Sequence, residues 1–358
     1  MKNGSKRRQW ISRLVTVLVM VLVVAGAGRD GELSTARAAA VKPPKIRMAT
    51  LAPKGSSFHQ SLQMMGQKWR EAPGGGVTLT IYTDGTMGGE ADVIRRMRIG
   101  QLQAAMLTIV GLSEIDESIN VLEYMPMMFE SLEEMEHVLE LLRPTLEKKM
   151  LDKGFVTLFW GDAGWIRFFT SEPAKYPEDL KKMKIFVWAG DTQQFDLMKA
   201  AGYHPVPLET SDILTGLQTG MIDAVPSTPH YALAGQFYRQ AKYMLKVNWA
   251  PLLGATVVTK KAWDSLDAGV RDLLLEAAAE AGREIKTQSR LEAEESIEAM
   301  KKRGLVVQEV GPEIEARWRA AAEDIYPKIR GSMVPEEIFD EVQRIIRESR
   351  PADRKEPQ

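Results

Sequence analysis

Hydrophobic positions in this chain switch repeatedly between a period of two and a period near 3.6, the alternation of strands and helices that predicts an α/β architecture with largely parallel sheets. Residues 45–51 alternate in part and read as a first strand. The turn Pro53-Lys54-Gly55-Ser56 follows, then a helix to about Arg70 capped by Ser56 or Ser57. Pro73-Gly74-Gly75-Gly76 breaks the chain before the strongly β-prone stretch 77–82. A loop at 84–89, a helix at 90–99 stopped by Gly100, a buried strand at 104–108 and a helix at 131–151, softened at Pro144, complete a first series. A second series has strands at 155–160, 166–170 and 184–189, helices near 192–201 and 212–219, and a short strand at 221–225 after the stop at Gly220.

Between Leu266 and Arg303 there is no proline, and Gly269 and Gly282 are the only glycines. Leu273, Leu274, Ala277, Ala278, Ala281 and Ile285 recur there at helical spacing, which predicts one helix over 268–302, about 50 Å long. Its Glu- and Lys/Arg-rich faces read as solvated surface. Such a helix could brace two domains at once, or pack against a copy of itself as a homodimer. A strand at 305–310 and two amphipathic helices end the chain.

The first forty residues follow a different logic. Lys2, Lys6, Arg7 and Arg8 precede an apolar run over 14–27, about fourteen residues and short of the ~20 that span a bilayer. Ala36-Arg37-Ala38 and Ala38-Ala39-Ala40 then offer signal-peptidase sites, so residues 1–38 read as a signal peptide cleaved near Ala38 or Ala40. An uncleaved anchor is the competing reading. Lys6-Arg7-Arg8-Gln9-Trp10-Ile11 also resembles a twin-arginine signal, which leaves the export route open. That segment holds seven Lys/Arg against two Asp/Glu, a net of +5; the whole chain is −1, so the remainder carries −6. A mildly acidic protein without a basic block is a poor partner for nucleic acid or an anionic membrane surface. Absence of cysteine means the fold holds without disulfides and carries no lipid-modified cysteine, so a free periplasmic protein is expected. The remaining ~320 residues exceed one ordinary core, and two domains are the default.

Catalytic patterns are missing. His59, His137, His204 and His230 lie far apart without metal-ligand spacing, and no cysteine is present to bind zinc or act as a nucleophile. There is no G-x-S-x-G elbow and no phosphate loop. A G-x-G-x-x-G match at Gly26-Ala27-Gly28-Arg29-Asp30-Gly31 falls at the end of the signal segment, outside any strand-to-helix unit. No cofactor, metal or catalytic residue is expected, with an envelope enzyme as the competing class.

Several segments, in order, resemble the solute-binding subunit of TRAP transporters, the DctP-like family. They are Tyr82-Thr83-Asp84-Gly85-Thr86-Met87-Gly88-Gly89-Glu90, the run from Arg95 through Gly100 to Met106, and Glu123-Tyr124-Met125-Pro126-Met127-Met128-Phe129. Pro177-Glu178-Asp179-Leu180-Lys181-Lys182-Met183-Lys184-Ile185 and Leu217-Gln218-Thr219-Gly220-Met221-Ile222-Asp223-Ala224 continue the likeness, with Lys182 where glycine is usual. Order and spacing carry the resemblance, over roughly 45–348. It implies a two-domain periplasmic binding protein with an interdomain cleft, hinge strands and one long domain-spanning helix. The domains would be 39–164 plus 253–292 and 165–252 plus 293–348, with a flexible tail at 349–358. Its partners would be a small-molecule ligand, captured by hinge closure, and the TRAP membrane permease subunits. An ABC importer or a sensor kinase is the alternative destination.

The resemblance also points to site residues. Typical members hold a ligand carboxylate with an arginine two positions after the lysine of the K-I pair; here that position is Phe186, in Lys184-Ile185-Phe186-Val187-Trp188. Losing such a charged hydrogen bond costs about 1.5–3 kcal/mol, one to two decades of carboxylate affinity. A second family arginine is retained as Arg167, in Gly164-Trp165-Ile166-Arg167-Phe168-Phe169, and the family's asparagine aligns near Ser227. Strand geometry puts Phe186 with Trp188 on one face, and Trp165 with Arg167 and Phe169 on one face. These are the expected ligand contacts, with Asp84, Glu90 and Tyr231 as lesser candidates. The expected ligand is an apolar or aromatic monoacid, with a C4-dicarboxylate or another organic acid as the alternative; ordinary core packing is the alternative role for the aromatics.

Overall fold

Two long antiparallel strands organise the computed structural model, which describes residues 43–350. The expected signal segment and the tail beyond 350 lie outside the described residues. The strands are β1 (Lys45–Thr50), β2 (Thr78–Tyr82), β3 (Ala104–Thr108), β4 (Phe155–Thr170), β5 (Lys184–Trp188), β6 (His204–Leu208), β7 (Ala224–Ser227), β8 (Tyr243–Thr259) and β9 (Val306–Gln308). They form one sheet in the order β2-β1-β3-β8-β4-β7-β5-β6, with β9 paired to β8. Parallel pairs β1–β2, β1–β3, β5–β6 and β5–β7 make up the two ends. The antiparallel β4–β8 ladder joins them.

Helices clothe both faces: α1 (Ser57–Glu71), α2 (Glu90–Arg98), α3 (Ile109–Ser113), α4 (Leu132–Asp152), α5 (Pro177–Leu180), α6 (Thr192–Ala200), α7 (Ile213–Gln218), α8 (Pro229–Ala234), α9 (Lys260–Asp264), α10 (Ala268–Lys301), α11 (Pro312–Glu323), α12 (Tyr326–Ile329) and α13 (Glu336–Ser349). None is long and apolar enough to cross a membrane. Apolar clusters divide the molecule into two lobes. Met48, Leu62, Trp69 and Leu158 belong to one, whereas Phe169, Phe186, Val225 and Met244 belong to the other. The first lobe's other face packs Leu107, Leu142 and Phe155 with Phe339 and Ile346 of α13, so the C-terminal helix returns to the first lobe.

Local signals work as expected where they are local. The Ser56 side chain caps α1, accepting from the His59 backbone N–H, and Gly100 takes the positive φ of 77° that ends the turn after α2. α10 covers 34 residues. Leu274, Ala278 and Ile285 pack on the first lobe, Ile297 and Met300 on the second, so this helix braces both. Glu280, paired with Lys68, is exposed as expected of a solvated face, whereas Arg290 reaches Glu136 and, at 3.3 Å, the buried Asp162.

Three elements depart from the sequence reading. Residues 155–170 are a single 16-residue strand, not two, because irregularities around Thr157/Phe159, Asp162/Trp165 and Ile166/Phe168 bend the strand without ending it. β8 has no clean alternation, Pro251 and Gly254 interrupting its pattern, and goes unread. β6 carries Pro205 and Pro207, tolerated because it is the edge strand.

A glycine sets how closely α10 approaches β4. A Cβ at Gly282 would sit 2.8 Å from the Phe159 ring. Gly282→Val should cost about 1–3 kcal/mol through overpacking, read as a lower urea midpoint at unchanged slope.

Candidate functional site

Residues at the C-terminal ends of β1, β3, β5 and β7, the position where open α/β sheets take ligands, line a cavity of about 150 Å³ between the lobes. That volume admits a group near the size of one aromatic ring. Thr50, Phe58, Thr108 and Phe159 come from the first lobe, Phe186, Trp188, Ser227 and Tyr231 from the second, and Ile285 of α10 closes one side. The wall is mostly apolar, and no Lys or Arg among the described residues lines it. Phe186 and Trp188 meet at 5.9 Å between ring centroids, tilted by 58°.

Two carboxylates reach this wall, and both are already engaged. Glu90 accepts from the Thr108 N–H at 2.8 Å, the Thr108 hydroxyl at 2.6 Å and the Gly111 N–H at 2.9 Å. Burial still pushes its pKa up against those three donors. It serves the start of α3, and a Cβ at Gly111 would lie 2.7 Å from it. Asp162, 3 % exposed, accepts from the Gly164 N–H and from Arg290; burial raises its pKa while Arg290 pulls it back.

His230, on α8, was missed by the search for metal-ligand spacing, yet it lines the cavity. Its Nδ1 lies 3.1 Å from Glu292 Oε2, and the Ser57 hydroxyl donates to the same oxygen at 2.9 Å. Its Nε2 is buried without a partner. Among the described residues there is no cluster of three or more acids and histidines placed to hold a metal.

Of the residues expected from sequence, Phe186, Trp188, Ser227, Tyr231 and Glu90 come together on the cavity wall. Arg167, Trp165 and Phe169 do not. Phe169 is fully buried among second-lobe apolar groups, and Trp165 packs beside the first-lobe core. The irregularities in β4 break the simple alternation that would give these three one face. Arg167 pairs across the ladder with Ser227 and is 8 % exposed. Its Nη2 is 3.9 Å from Glu294, whereas Nε and Nη1 are buried and unpartnered. Burial lowers its pKa, with Glu294 and Glu309 opposing. Asp84 accepts from the Lys54 N–H at 3.1 Å, supporting its own turn outside the wall.

The lobes also touch beside the cavity. Tyr124, in the first-lobe core, donates its hydroxyl to Asp191, the N-cap of α6 in the second. Next to it, Glu123 has a buried Oε2 without a partner.

Residues 48–332 match the family described as bacterial extracellular solute-binding protein, family 7, the DctP family. The chain belongs to that family. Among relatives, the 2,3-diketo-L-gulonate-binding periplasmic protein YiaO of Escherichia coli K12 is 26 % identical over 258 residues, covering 70 % of this chain and 76 % of the relative. The C4-dicarboxylate-binding periplasmic protein DctP of Rhodobacter capsulatus is 23 % identical over 72 % of this chain and 77 % of the relative. A TRAP periplasmic solute-binding protein from Pseudomonas putida F1 with bound D-glucuronate superposes with a TM-score of 0.77 at 26 % identity, covering 86 % of this chain and 98 % of that one. Family members are periplasmic solute-binding proteins rather than enzymes; they bind small organic acids and work with membrane permease subunits. Their two-lobed architecture with its long helix is the one seen here.

Burial pushes the Glu123 carboxyl up to about 8, helped by the charges of Asp191 and Glu90 and opposed by the Leu253 backbone donor. The folded state therefore holds a proton that the unfolded chain releases near pH 4.5, so stability is lost as pH rises from there through about 8. Glu123→Gln should leave the melting temperature nearly unchanged at pH 4 and raise it by about 2–5 °C at pH 8.5, measured by differential scanning calorimetry.

Proposed function

We propose that this family 7 protein is the periplasmic solute receptor of a TRAP-type transporter and that its ligand is a small monoacid with an apolar or aromatic body. The observation that carries the reading is the wall itself: Phe186 and Trp188 present rings to a largely apolar cavity that no lysine or arginine lines. An apolar group entering it gains roughly 25 cal/mol per Å² buried, whereas a second carboxylate there would be desolvated without a partner. The Pseudomonas putida protein has D-glucuronate bound and the Escherichia coli protein is named for 2,3-diketo-L-gulonate, each with one carboxylate, whereas the Rhodobacter capsulatus relative is named for C4-dicarboxylates; the relatives support an organic acid, and the wall alone favours a single acidic group.

Arg167 supplies a second-lobe positive charge on this reading. It is the cross-strand partner of the wall residue Ser227 and is buried with two guanidinium nitrogens unpaired, and it favours an anion in the cavity through low-dielectric protein. Capture would proceed by closure of the two lobes about the crossing strands β4 and β8, the ligand favouring the closed form because it touches both. Export by a cleaved N-terminal signal completes the proposal.

Calorimetric titration with phenylacetate, D-glucuronate and succinate tests it. Phenylacetate should bind in the micromolar range, D-glucuronate more weakly, and succinate weakest; tightest binding of succinate would instead assign a C4-dicarboxylate receptor. Arg167→Ala should weaken phenylacetate roughly ten- to hundredfold with the fold intact by circular dichroism. Unchanged affinity would take Arg167 out of the site.

A further inference from the structure

We infer that His230 is the residue that touches the ligand's carboxylate, as an imidazolium held in place by Glu292, and that ligand binding is consequently linked to proton uptake. The inference rests on the reading of this cavity as an organic-acid site and adds the group that makes direct contact.

Among the described residues, His230 Nε2 is the one side-chain nitrogen or oxygen of the cavity wall that is both buried and without a partner. Glu90 and Asp162 have donors, and both are acids, so neither attracts an anion. Arg167 is not part of the wall. A carboxylate placed against these apolar side chains needs a donor in contact with it, since a buried charge is tolerated only when paired and hydrogen-bonded.

His230 is built to supply that donor. With Nδ1 3.1 Å from Glu292, the ring gives its Nδ1–H to the carboxylate, which leaves Nε2 as the uncommitted nitrogen of a side chain that lines the cavity. In the neutral ring Nε2 is a bare acceptor and would repel an incoming carboxylate. Taking one proton from solvent makes Nε2–H a charged donor; Glu292 on one nitrogen and the ligand on the other then flank the imidazolium. The Ser57 hydroxyl fixes the same Glu292 oxygen at 2.9 Å, and the Phe58 ring lies 6.0 Å from the imidazole. Orientation therefore comes from α1 of the first lobe and from α10, while the imidazole rides on α8 of the second. The contact that meets the ligand is assembled only when both lobes are in place.

Of the elements packed on His230, α10 carries Glu292, α1 carries His59, β4 carries Arg167, and Tyr231 is the neighbour on α8. Glu90 and Asp162 face it across the cavity. A substitution that removes the imidazole and keeps these acids separates its titration from theirs.

The experiment is titration of the full-length mature protein with phenylacetate and with D-glucuronate between pH 5.5 and 8.5, in buffers of different ionisation enthalpy. Wild type should bind at least tenfold more tightly at pH 6 than at pH 8, and take up a fraction of a proton per ligand approaching one at the alkaline end. His230→Gln should lose ten- to hundredfold at pH 6 and flatten the profile, with no proton uptake. Glu292→Gln, with the imidazole intact, should move the drop in affinity to lower pH, an effect that simple loss of packing would not produce. Acid binding in His230→Gln with wild-type affinity and wild-type pH dependence overturns the inference and leaves the organic-acid reading standing. If neither acid binds wild type at any pH, both fall together. If Arg167→Ala alone abolishes binding while His230→Gln does not, the carboxylate belongs to the guanidinium.

Discussion

The backbone ladder between β4 and β8 is what makes one sheet of the two lobes. These strands run from the first lobe into the second, paired from Phe155 opposite Thr259 to Thr170 opposite Tyr243. Each lobe then joins its own strands to them by an antiparallel pair, β3 to β8 on one side and β7 to β4 on the other. A ladder of main-chain hydrogen bonds tolerates bending at irregular points more readily than breakage, and the irregularities of β4 fall at the middle, beside the cavity. Long connecting strands thus put the cavity between two lobes, with irregular stretches of β4 along it. α10 lies across the same junction and ties the two cores together, with Gly282 allowing it to press on Phe159.

Around that floor, the polar groups sort by whether the protein has already used them. Glu90 is committed to the start of α3, Asp162 to Arg290 and the Gly164 N–H, and Asp191 to Tyr124 and the first turn of α6. In low dielectric a carboxylate without such partners would be costly, and the raised pKa values of all three show that even these partners only partly offset burial. The unused capacity is therefore informative. It sits on Arg167, which is not among the lining residues, and on the buried Nε2 of His230, which is. Phe186 fits the same logic: it brings an apolar ring to the wall and adds no polar group there.

Much of the fold was legible in the residues because its causes are local. Ser56 caps its helix at the end of the turn that precedes it, Gly100 ends α2's turn at a φ few other residues adopt, and a proline-free stretch yields the 34 residues of α10. The aromatic pair Phe186 and Trp188 shares a face because β5 is short and regular. The site was legible only in part. Trp165 and Phe169 looked equivalent to the pair in β5, but β4 is long enough to accumulate irregularities, and period-two reasoning fails across each one. β8 was invisible since Pro251 and Gly254 spoil its pattern, although its pairing on both sides, not its own propensity, makes it a strand.

By itself, then, the sequence determined the α/β class, the element boundaries set by caps and glycines, the absence of disulfides, and membership of a solute-binding family through the order of its motifs. Tertiary structure alone decided which side chains meet. His230 and Glu292 lie sixty-two positions apart, and Ser57 is 235 positions from the same carboxylate, so no periodicity or spacing connects them. Contacts of that kind depend on how lobes dock and how closely a helix can approach a strand, both of which are properties of packed volume. A one-dimensional pattern records the residues that can pack; it does not record their partners.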